Sequence, residues 1–257
     1  MHRRHWIGFG AALLLGSSAA IAAKPKAAPA PAGNTPSAVL AGIPALPKAA
    51  SKDLDCSARE TVEQRIQQIT MEQASAMQQA ASQPTQPQAI SDAQGQALQA
   101  LNDPEFYGCL TDLQQRPPEL WIDAQREKLD TKLAAIDDAK GKSDAAYCAK
   151  HPHGEGCMDD PGSAKKFNAQ AVAAATQFLK DAQPVYADYV KEIGACIGKR
   201  DGIIATARGA GVSGQFDAML MGGTQQNWGL VGIAAGAQST VCAAARDAAN
   251  RYLEPPP

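Results

Sequence analysis

Aromatic side chains and histidines are scarce in this chain of 257 residues, and their scarcity limits the chemistry open to it. Phe, Trp and Tyr together make up 5% of the sequence, too little to suggest stacking platforms for sugars or bases. Only four histidines occur, and His2 and His5 lie at the extreme N-terminus. Catalysis that relies on imidazole as a general acid or base is therefore left with His151 and His153.

The sequence also lacks strand-like alternation and a concentration of positive charge. No run alternates apolar and polar residues with a period of two, so β-strands are not expected. The formal net charge is −2, and it becomes −4 if Arg3 and Arg4 are removed with an N-terminal leader. Because nucleic acids are bound through concentrated positive charge, they are not expected as partners.

The N-terminus has the three parts of a secretory signal peptide. Arg3 and Arg4 precede an uncharged apolar run over 6–15, and small residues follow with an Ala-x-Ala at 20–22. The apolar run is shorter than the roughly 20 residues that a membrane-spanning helix needs. We therefore predict a bacterial-type signal peptide over 1–23, cleaved near residues 20–23, and a periplasmic or secreted protein.

Residues 24–52 differ in composition from the rest of the chain. They are rich in Ala, Pro and Lys, with prolines at 25, 29, 31, 36, 44 and 47. Such a composition favours extended, solvated backbone and offers little surface to bury. The segment is predicted to be a disordered tether ahead of a folded domain at 53–254, which a proline tail at 255–257 follows.

Start and stop signals of helices predict that the folded domain is all-α. Ser57-x-x-Glu60 has the form of a capping box, and apolar residues at 62, 66 and 69 predict a helix over about 57–82. Later signals predict helices over about 88–101, from 103, over 118–141, 163–183, 184–208 and 224–252, with a loop at 142–162. The expected fold is a disulfide-stapled bundle of six to seven helices, with possible subdomains 53–141 and 163–254.

An even number of cysteines in an exported chain indicates a disulfide framework. The six are Cys56, Cys109, Cys148, Cys157, Cys196 and Cys242. We favour the consecutive pairing Cys56–Cys109, Cys148–Cys157 and Cys196–Cys242. The third pair follows from an antiparallel hairpin of the last two helices, which would bring its cysteines to similar heights.

Glycines recur along the same predicted hairpin. Gly194, Gly198 and Gly202 are spaced by four residues, which places them on one helix face. Each glycine weakens a helix, so the pattern predicts a groove that a partner helix approaches closely. The last helix carries no charge over 218–245, but its Gln, Asn, Ser and Thr residues make membrane insertion unexpected.

The segment from Cys148 to Cys157 contains the most suggestive cluster of side chains. Its spacing, C-x2-H-x-H-x3-C, brings two thiols and two imidazoles together, as soft divalent metals prefer. In an oxidising compartment the two thiols are expected to form a disulfide instead. His151, His153 and Glu155 then remain as candidate ligands for copper or nickel, and zinc is the alternative if the thiols are free.

Two further motifs fail for lack of context. Residues 209–214 match G-x-G-x-x-G, but a helix precedes them and the acid expected about 20 residues later is missing. Ser163-x-x-Lys166 has the form found in penicillin-recognising enzymes, but the companion S-D-N and K-T-G motifs are absent. No catalytic residue is assigned.

Three classes of function remain open on the sequence. The favoured one is a non-catalytic interaction or binding protein of the cell envelope, whose partner is a protein or an envelope component. The second is a periplasmic metal-handling protein that uses the 148–157 loop. The third is a cell-wall-directed enzyme without a recognisable motif.

Overall fold

The computed structural model describes residues 33–81, 92–115, 118–151, 162–209 and 217–252. These residues form seven α-helices and no strand. The helices are α1 (Pro36–Ala41), α2 (Ala58–Ala81), α3 (Asp92–Leu101), α4 (Pro104–Gln115), α5 (Pro118–Lys150), α6 (Ser163–Gly209) and α7 (Asp217–Asn250). The predicted all-α bundle is confirmed. The predicted signal peptide and the 255–257 tail lie outside the described residues.

The two longest helices, α6 and α7, form an antiparallel hairpin that runs through the centre of the bundle. The Tyr186 hydroxyl donates a hydrogen bond to the Ala234 carbonyl oxygen at 3.4 Å, and the Arg200 guanidinium reaches Asn227. Residues later in α6 therefore contact residues earlier in α7, as in an antiparallel pair. Apolar residues recur at helical spacing along both helices, which lets each bury a continuous face against the other.

α5 packs along the first half of α6 and closes one apolar cluster. The cluster joins the following buried residues: Leu46, Ala50, Ile122, Leu129, Leu133, Ala171, Ala175, Phe178, Leu179, Ala182, Tyr186, Ala237, Val241, Ala245, Ala248 and Ala249. It draws on both of the suggested subdomains, 53–141 and 163–254. The two segments therefore share one core and are not separate units.

α1, α2 and α4 cover the other half of the hairpin. Their buried residues, Val39, Leu40, Val62, Ile69, Leu110 and Leu113, pack against Tyr189, Ile193 and Ile197 of α6 and Trp228, Leu230 and Val231 of α7. A smaller cluster, in which α3 and α4 meet the end of α6 and the start of α7, contains Leu101, Phe106, Ile204, Ala207 and Leu220. The short helices thus hold the hairpin on several sides.

Two predicted helix ends are wrong, and at the first of them tertiary packing outweighs the local signal. α6 runs through Pro184, where we expected a break, although an interior proline costs a helix about 3 kcal/mol. Pro184 is exposed, while Ala182 and Tyr186 on either side of it are buried in the same core. α5 likewise continues past Gly141 to Lys150. Residues 142–150 of the predicted 142–162 loop are therefore helical, and residues 152–161 lie outside the described part.

The last helix also begins earlier than predicted. α7 starts at Asp217, seven residues before Thr224, which we expected to cap it. The Thr224 hydroxyl instead donates to the Leu220 carbonyl oxygen within the helix, at 2.9 Å. A threonine in mid-helix that bonds back to the preceding turn has no capping role.

The prediction of a disordered tether over 24–52 is wrong for residues 33–52. Thr35 caps α1 by accepting a hydrogen bond from the Ala38 amide, and Pro36 occupies the first turn. Val39 and Leu40 are buried on the hairpin. Further along, Leu46 joins the α5–α6 core, and the Ala50 amide donates to the Thr176 hydroxyl at 3.0 Å. Five buried residues, Pro36, Val39, Leu40, Leu46 and Ala50, dock the segment; residues 24–32 lie outside the described part.

One described stretch, Leu220–Asn250 of α7, is long and apolar enough to cross a membrane by length and composition. Of its most apolar window, 56% is buried within the protein. Its fully buried residues include Leu230, Val231 and Ala234, which face the other helices of the bundle. A core helix of a soluble bundle has the same composition, so this stretch is weak support for a membrane span.

The predicted glycine groove on α6 is not formed. A methyl group added at Gly198 or Gly202 would meet no heavy atom within 4 Å, and both positions are exposed. At Gly194 the added methyl would make an ordinary contact of 3.5 Å with Leu40 Cδ2. The fourfold spacing does place the three on one side of the helix, but that side faces α1 and solvent rather than a closely approaching helix.

Replacing Gly198 and Gly202 with alanine is therefore expected to stabilise the protein by up to about 1 kcal/mol per site. Each change should raise Tm by about 2–4 °C, measured by thermal denaturation followed by circular dichroism. Gly223→Ala is the matched control, because its methyl would lie 3.2 Å from Ile204 Cδ1 in a buried site and should bring no gain. A lower Tm for Gly198→Ala/Gly202→Ala would contradict the open environment of these positions.

Candidate functional site

Two disulfides join peripheral helices to the central hairpin. Cys56, just before α2, bonds to Cys242 of α7, with their Cα atoms 5.4 Å apart. Cys109 of α4 bonds to Cys196 of α6, with a Cα separation of 5.7 Å. The predicted pairs Cys56–Cys109 and Cys196–Cys242 are therefore wrong. Disulfides of this kind indicate an oxidising, non-cytoplasmic environment.

The register of the hairpin explains why Cys196 cannot reach Cys242. Arg200 is level with Asn227, so Cys196 is level with a point close to residue 231. Cys242 lies about 11 residues further along α7, roughly 16 Å away at about 1.5 Å per helical residue. A disulfide needs Cα atoms within about 7 Å. Cys196 bonds instead to Cys109 of α4, and Cys242 bonds to Cys56 just before α2.

The candidate metal loop is only partly described. Cys148 is disulfide-bonded, and Cys157, its predicted partner, lies outside the described residues, as do His153 and Glu155. His151 follows the end of α5, where its ring stacks on Tyr147 with 4.2 Å between centroids and its Nδ1 lies 3.0 Å from the Tyr147 carbonyl oxygen. Among the described residues no group of three or more His, Cys, Asp or Glu could hold a metal ion. The copper or nickel site stays a prediction.

Arg200 of α6 is a fully buried cation that joins three helices. Its Nε donates to Asn227 Oδ1 at 2.6 Å, and Nη1 donates to the Phe106 carbonyl oxygen at 2.6 Å. Nη2 donates to Gln226 Oε1 at 2.5 Å and to the Gly223 carbonyl oxygen at 3.3 Å. Because α4, α6 and α7 all supply a group to this network, the guanidinium fixes how they meet.

The charge of Arg200 is offset by the surrounding polar and aromatic groups. Its guanidinium carbon lies 4.1 Å from the centroid of the Phe106 ring, which is favourable for a desolvated cation. Asn227 connects Arg200 to an acidic side chain, since its Nδ2 donates to Asp201 Oδ1 at 2.8 Å. Burial lowers the pKa of Arg200 from its usual value, while Tyr107 and Asp201 raise it. The arrangement suits a structural link better than a reactive group, because the guanidinium is enclosed on all sides.

An open groove lies between α5 and α6 on the surface of the bundle. Its volume is about 550 Å³, within the usual range for ligand-binding clefts. Its lining is a mixture of apolar and charged residues: Ala124, Gln125, Glu127, Lys128, Leu129, Thr131, Lys132, Ala174, Phe178 and Asp181. The buried side chains of Leu129 and Phe178 make the apolar floor, and both belong to the core beneath.

Charges of opposite sign stand on the two walls of this groove. Lys128 and Lys132 are one helical turn apart on α5, and both are exposed. Neither makes an ion pair with another described residue. On the α6 wall, Asp181 accepts a hydrogen bond from Gln177 at 2.8 Å. The groove therefore offers an apolar floor, an α5 wall on which Lys128 and Lys132 outnumber Glu127, and an α6 wall that carries Asp181.

The C-terminal end of α7 fixes α5, which forms one wall of the groove. Arg251 donates two hydrogen bonds to Asp137, at 3.1 and 2.5 Å, and the Tyr252 hydroxyl donates to Asp137 Oδ1 at 2.6 Å. The hydrogen bond from Arg251 lowers the pKa of Asp137. Desolvation and the hydrogen bond to Asp137 raise the pKa of Tyr252 to about 12. At neutral pH the three groups keep the protonation states that this arrangement needs.

A second, more polar groove of about 410 Å³ lies beside the Cys56–Cys242 disulfide. It runs between the start of α2 and α7, where the Arg59 amide donates to the Ser239 hydroxyl at 2.9 Å. Asp55 accepts hydrogen bonds from the hydroxyl and amide of Ser57, which lower its pKa. Its polar groups are thus largely engaged with one another, whereas the lysines of the α5–α6 groove are not.

The sequence contains signals for the buried Arg200 and for the α5–α6 groove, but hydrophobic periodicity alone does not detect them. Arg200 stands within a regular buried stripe, Ile193, Cys196, Ile197, Ile204 and Ala207, where a charge needs internal partners. The groove has a weaker signal: Lys128 and Lys132 are spaced by four residues beside Leu129, without an acid at the matching distance. Which helix faces them depends on packing that no local pattern specifies.

Comparison with known proteins adds no further constraint: no protein-family model, curated protein or solved structure matches the chain. The function of the chain is therefore inferred from its disulfides, its two grooves and the charges that line them.

Proposed function

We propose that this is an exported protein of the bacterial periplasm whose helical bundle binds a partner and does no chemistry of its own. The observation that carries the proposal is a bundle fastened by two long-range disulfides that presents an open groove, whose Lys128 and Lys132 make no ion pair with another described residue. Disulfides support delivery to an oxidising compartment, and the leader-like sequence at 1–23 agrees with that.

Rigid attachment of the short helices supports a binding role. Cys56–Cys242 and Cys109–Cys196 fix α2 and α4 to the hairpin, and Arg200 fixes the α4–α6–α7 junction. A surface held in place before binding loses less conformational entropy when a partner docks. The groove between α5 and α6 combines an apolar floor with charged walls, which is the usual composition of a recognition surface.

The test is in-cell crosslinking of the chain produced with its own leader, followed by fractionation and thiol alkylation. We expect a shortened chain in the periplasmic fraction, without alkylatable thiols, and a discrete crosslinked adduct with one partner. The adduct should disappear for the Cys56→Ala/Cys242→Ala variant if that variant is unfolded. A full-length chain in the cytoplasm with reactive thiols would contradict export, and a chain that yields no adduct would contradict the binding role.

A further inference from the structure

We infer that the α5–α6 groove is the docking site for an amphipathic helix of a partner protein, with carboxylates along the helix edge that faces α5. The inference rests on the proposed binding function and specifies its partner. An apolar helix face would lie over Leu129 and Phe178, and acidic side chains would meet Lys128 and Lys132. Binding of an amphipathic helix in an apolar groove is an established mode of recognition.

Charge complementarity selects this occupant. Lys128 and Lys132 are one turn apart, so they match carboxylates at the same spacing on an adjacent helix. Their ammonium groups have no ion pair with another described residue to exchange for the new contacts. The opposite wall carries Asp181, which would repel a partner helix that has acidic residues along both of its edges. The partner helix is thus acidic towards α5 and neutral or basic towards α6.

The open shape of the groove favours a helix face over a compact, enclosed ligand. The groove is open to solvent and is lined by about two turns of each helix, within 124–132 of α5 and 174–181 of α6, so a partner helix can lie with its axis along the groove. Leu129 lies beneath it, and Ala124 and Ala174 are small residues in its walls that leave room for large apolar side chains from outside. A partner helix would place residues at i, i+3 or i+4, and i+7 along this axis.

The experiment uses the oxidised chain and two fluorescent helical peptides of about 18 residues. Both peptides carry leucines at i, i+4, i+7 and i+11. One has glutamates along a single edge of that stripe, and its twin has lysines there instead. Binding is measured by fluorescence anisotropy at low and high salt. We expect the glutamate peptide to bind about five- to tenfold more tightly than its twin at low salt, since two exposed ion pairs change affinity by about that much.

Three variants locate the binding on the groove. Lys128→Glu/Lys132→Glu should reverse the preference between the two peptides. Lys165→Glu/Lys191→Glu makes the same change in net charge at exposed positions of α6 outside the groove, and it should leave the preference as it is. Ala124→Trp at the groove surface should weaken both peptides at least fivefold. Circular dichroism of each variant checks that the bundle is intact.

The groove assignment is overturned if neither peptide binds, or if the preference of Lys128→Glu/Lys132→Glu equals that of the unaltered chain. It is also overturned if the control pair shifts the preference as much as the groove pair does, because net charge then explains the result. A periplasmic crosslinked adduct together with any of these outcomes leaves the binding function standing and moves it to another surface. Loss of the adduct as well removes both proposals.

Discussion

Replacing Cys56 and Cys242 with alanine is expected to lower the free energy of unfolding by about 2–5 kcal/mol. The two cysteines are 186 residues apart, so their bond excludes a very large part of the unfolded ensemble. In the chain-entropy model a loop of that length contributes about 5 kcal/mol, slightly more than a loop of 100 residues. Alanine is preferred to serine because Cys242 is completely buried, and burying a hydroxyl adds a desolvation cost of its own.

Cys109→Ala/Cys196→Ala is expected to have a slightly smaller effect, because its loop spans 87 residues. Urea denaturation followed by circular dichroism measures both, with the midpoint and slope compared at constant pH. A single-domain protein is stable by about 5–15 kcal/mol, so removing both bonds should leave no cooperative transition at 37 °C. Reduction of the unaltered chain also breaks the bond of Cys148, so it should destabilise the protein at least as much as the four alanines do.

The spacing of Cys148 and Cys157 provides an internal standard. If they form the short bond that their spacing predicts, its removal should cost only about 2–3 kcal/mol in the same model. Equal denaturation midpoints for the unaltered chain and both long-range variants would contradict the contribution assigned to these bonds. A rise in slope without a change in midpoint would instead indicate a denatured state that is more expanded once the bond is removed.

The second large effect is expected at Arg200, where methionine should destabilise the protein by about 3 kcal/mol. Arg200→Met keeps much of the side-chain volume but removes four hydrogen bonds to groups on α4 and α7. Buried acceptors left without a donor cost more than the bonds themselves were worth. The expected fall in Tm is roughly 6–12 °C for a chain of this size.

Arg200→Lys separates the charge from the geometry. A lysine keeps the positive charge, but its ammonium group cannot match the planar fork that bonds Asn227, Gln226 and Phe106 at once. We therefore expect it to lose at least half of what methionine loses. Arg246→Met is the control, because the Arg246 side chain is 39% exposed and its one ion pair with a described residue is with the adjacent Asp247, at 3.5 Å. An Arg200→Met protein as stable as this control would refute the structural role of the network.

Local sequence signals located most helices but not all of their ends. The starts of α4 and α5 at Pro104 and Pro118 follow from prolines that act on neighbouring backbone. The bounds of α2 agree with the prediction, although the Ser57 hydroxyl donates to Asp55 Oδ1 and does not form the predicted capping box. Pro184 and Gly141 are the same kinds of signal, yet α6 and α5 continue through them. At Pro184 the difference is tertiary, because the buried apolar stripe continues on both sides of it and outweighs the local cost. At Gly141 no buried residue follows in α5, but the ion pair between Lys140 and Asp144 spans the glycine at 2.6 Å and supports the helix there.

The docking of residues 33–52 also depends on tertiary packing that local composition does not show. Average composition suggested disorder, but Val39, Leu40 and Leu46 are placed so that each reaches a core cluster. Thr35-Pro36 is a cap followed by a first-turn proline, the same signal that correctly marked other helices. A short helix needs little sequence to specify it when a preformed surface receives its side chains.

The candidate site was the least predictable part of the molecule. Cysteine number predicted a disulfide framework, but the partners depend on which helices lie side by side and at what register. The groove depends on the separation of α5 and α6, which is set by side chains along their whole interface. Lys128 and Lys132 show only that one face of α5 is basic; the acidic wall opposite them comes from another part of the chain.

The nesting of the two long-range disulfides has a consequence for how the chain matures. Synthesis delivers the cysteines in the order 56, 109, 148, 157, 196 and 242. An oxidase that joins thiols as they arrive would connect Cys56 to Cys109, yet the native partner of Cys56 emerges 186 residues after it. Maturation then requires thiol–disulfide exchange through a mixed disulfide to reach the native pairs. Cells without a disulfide isomerase should accumulate the chain with its cysteines joined in order of arrival.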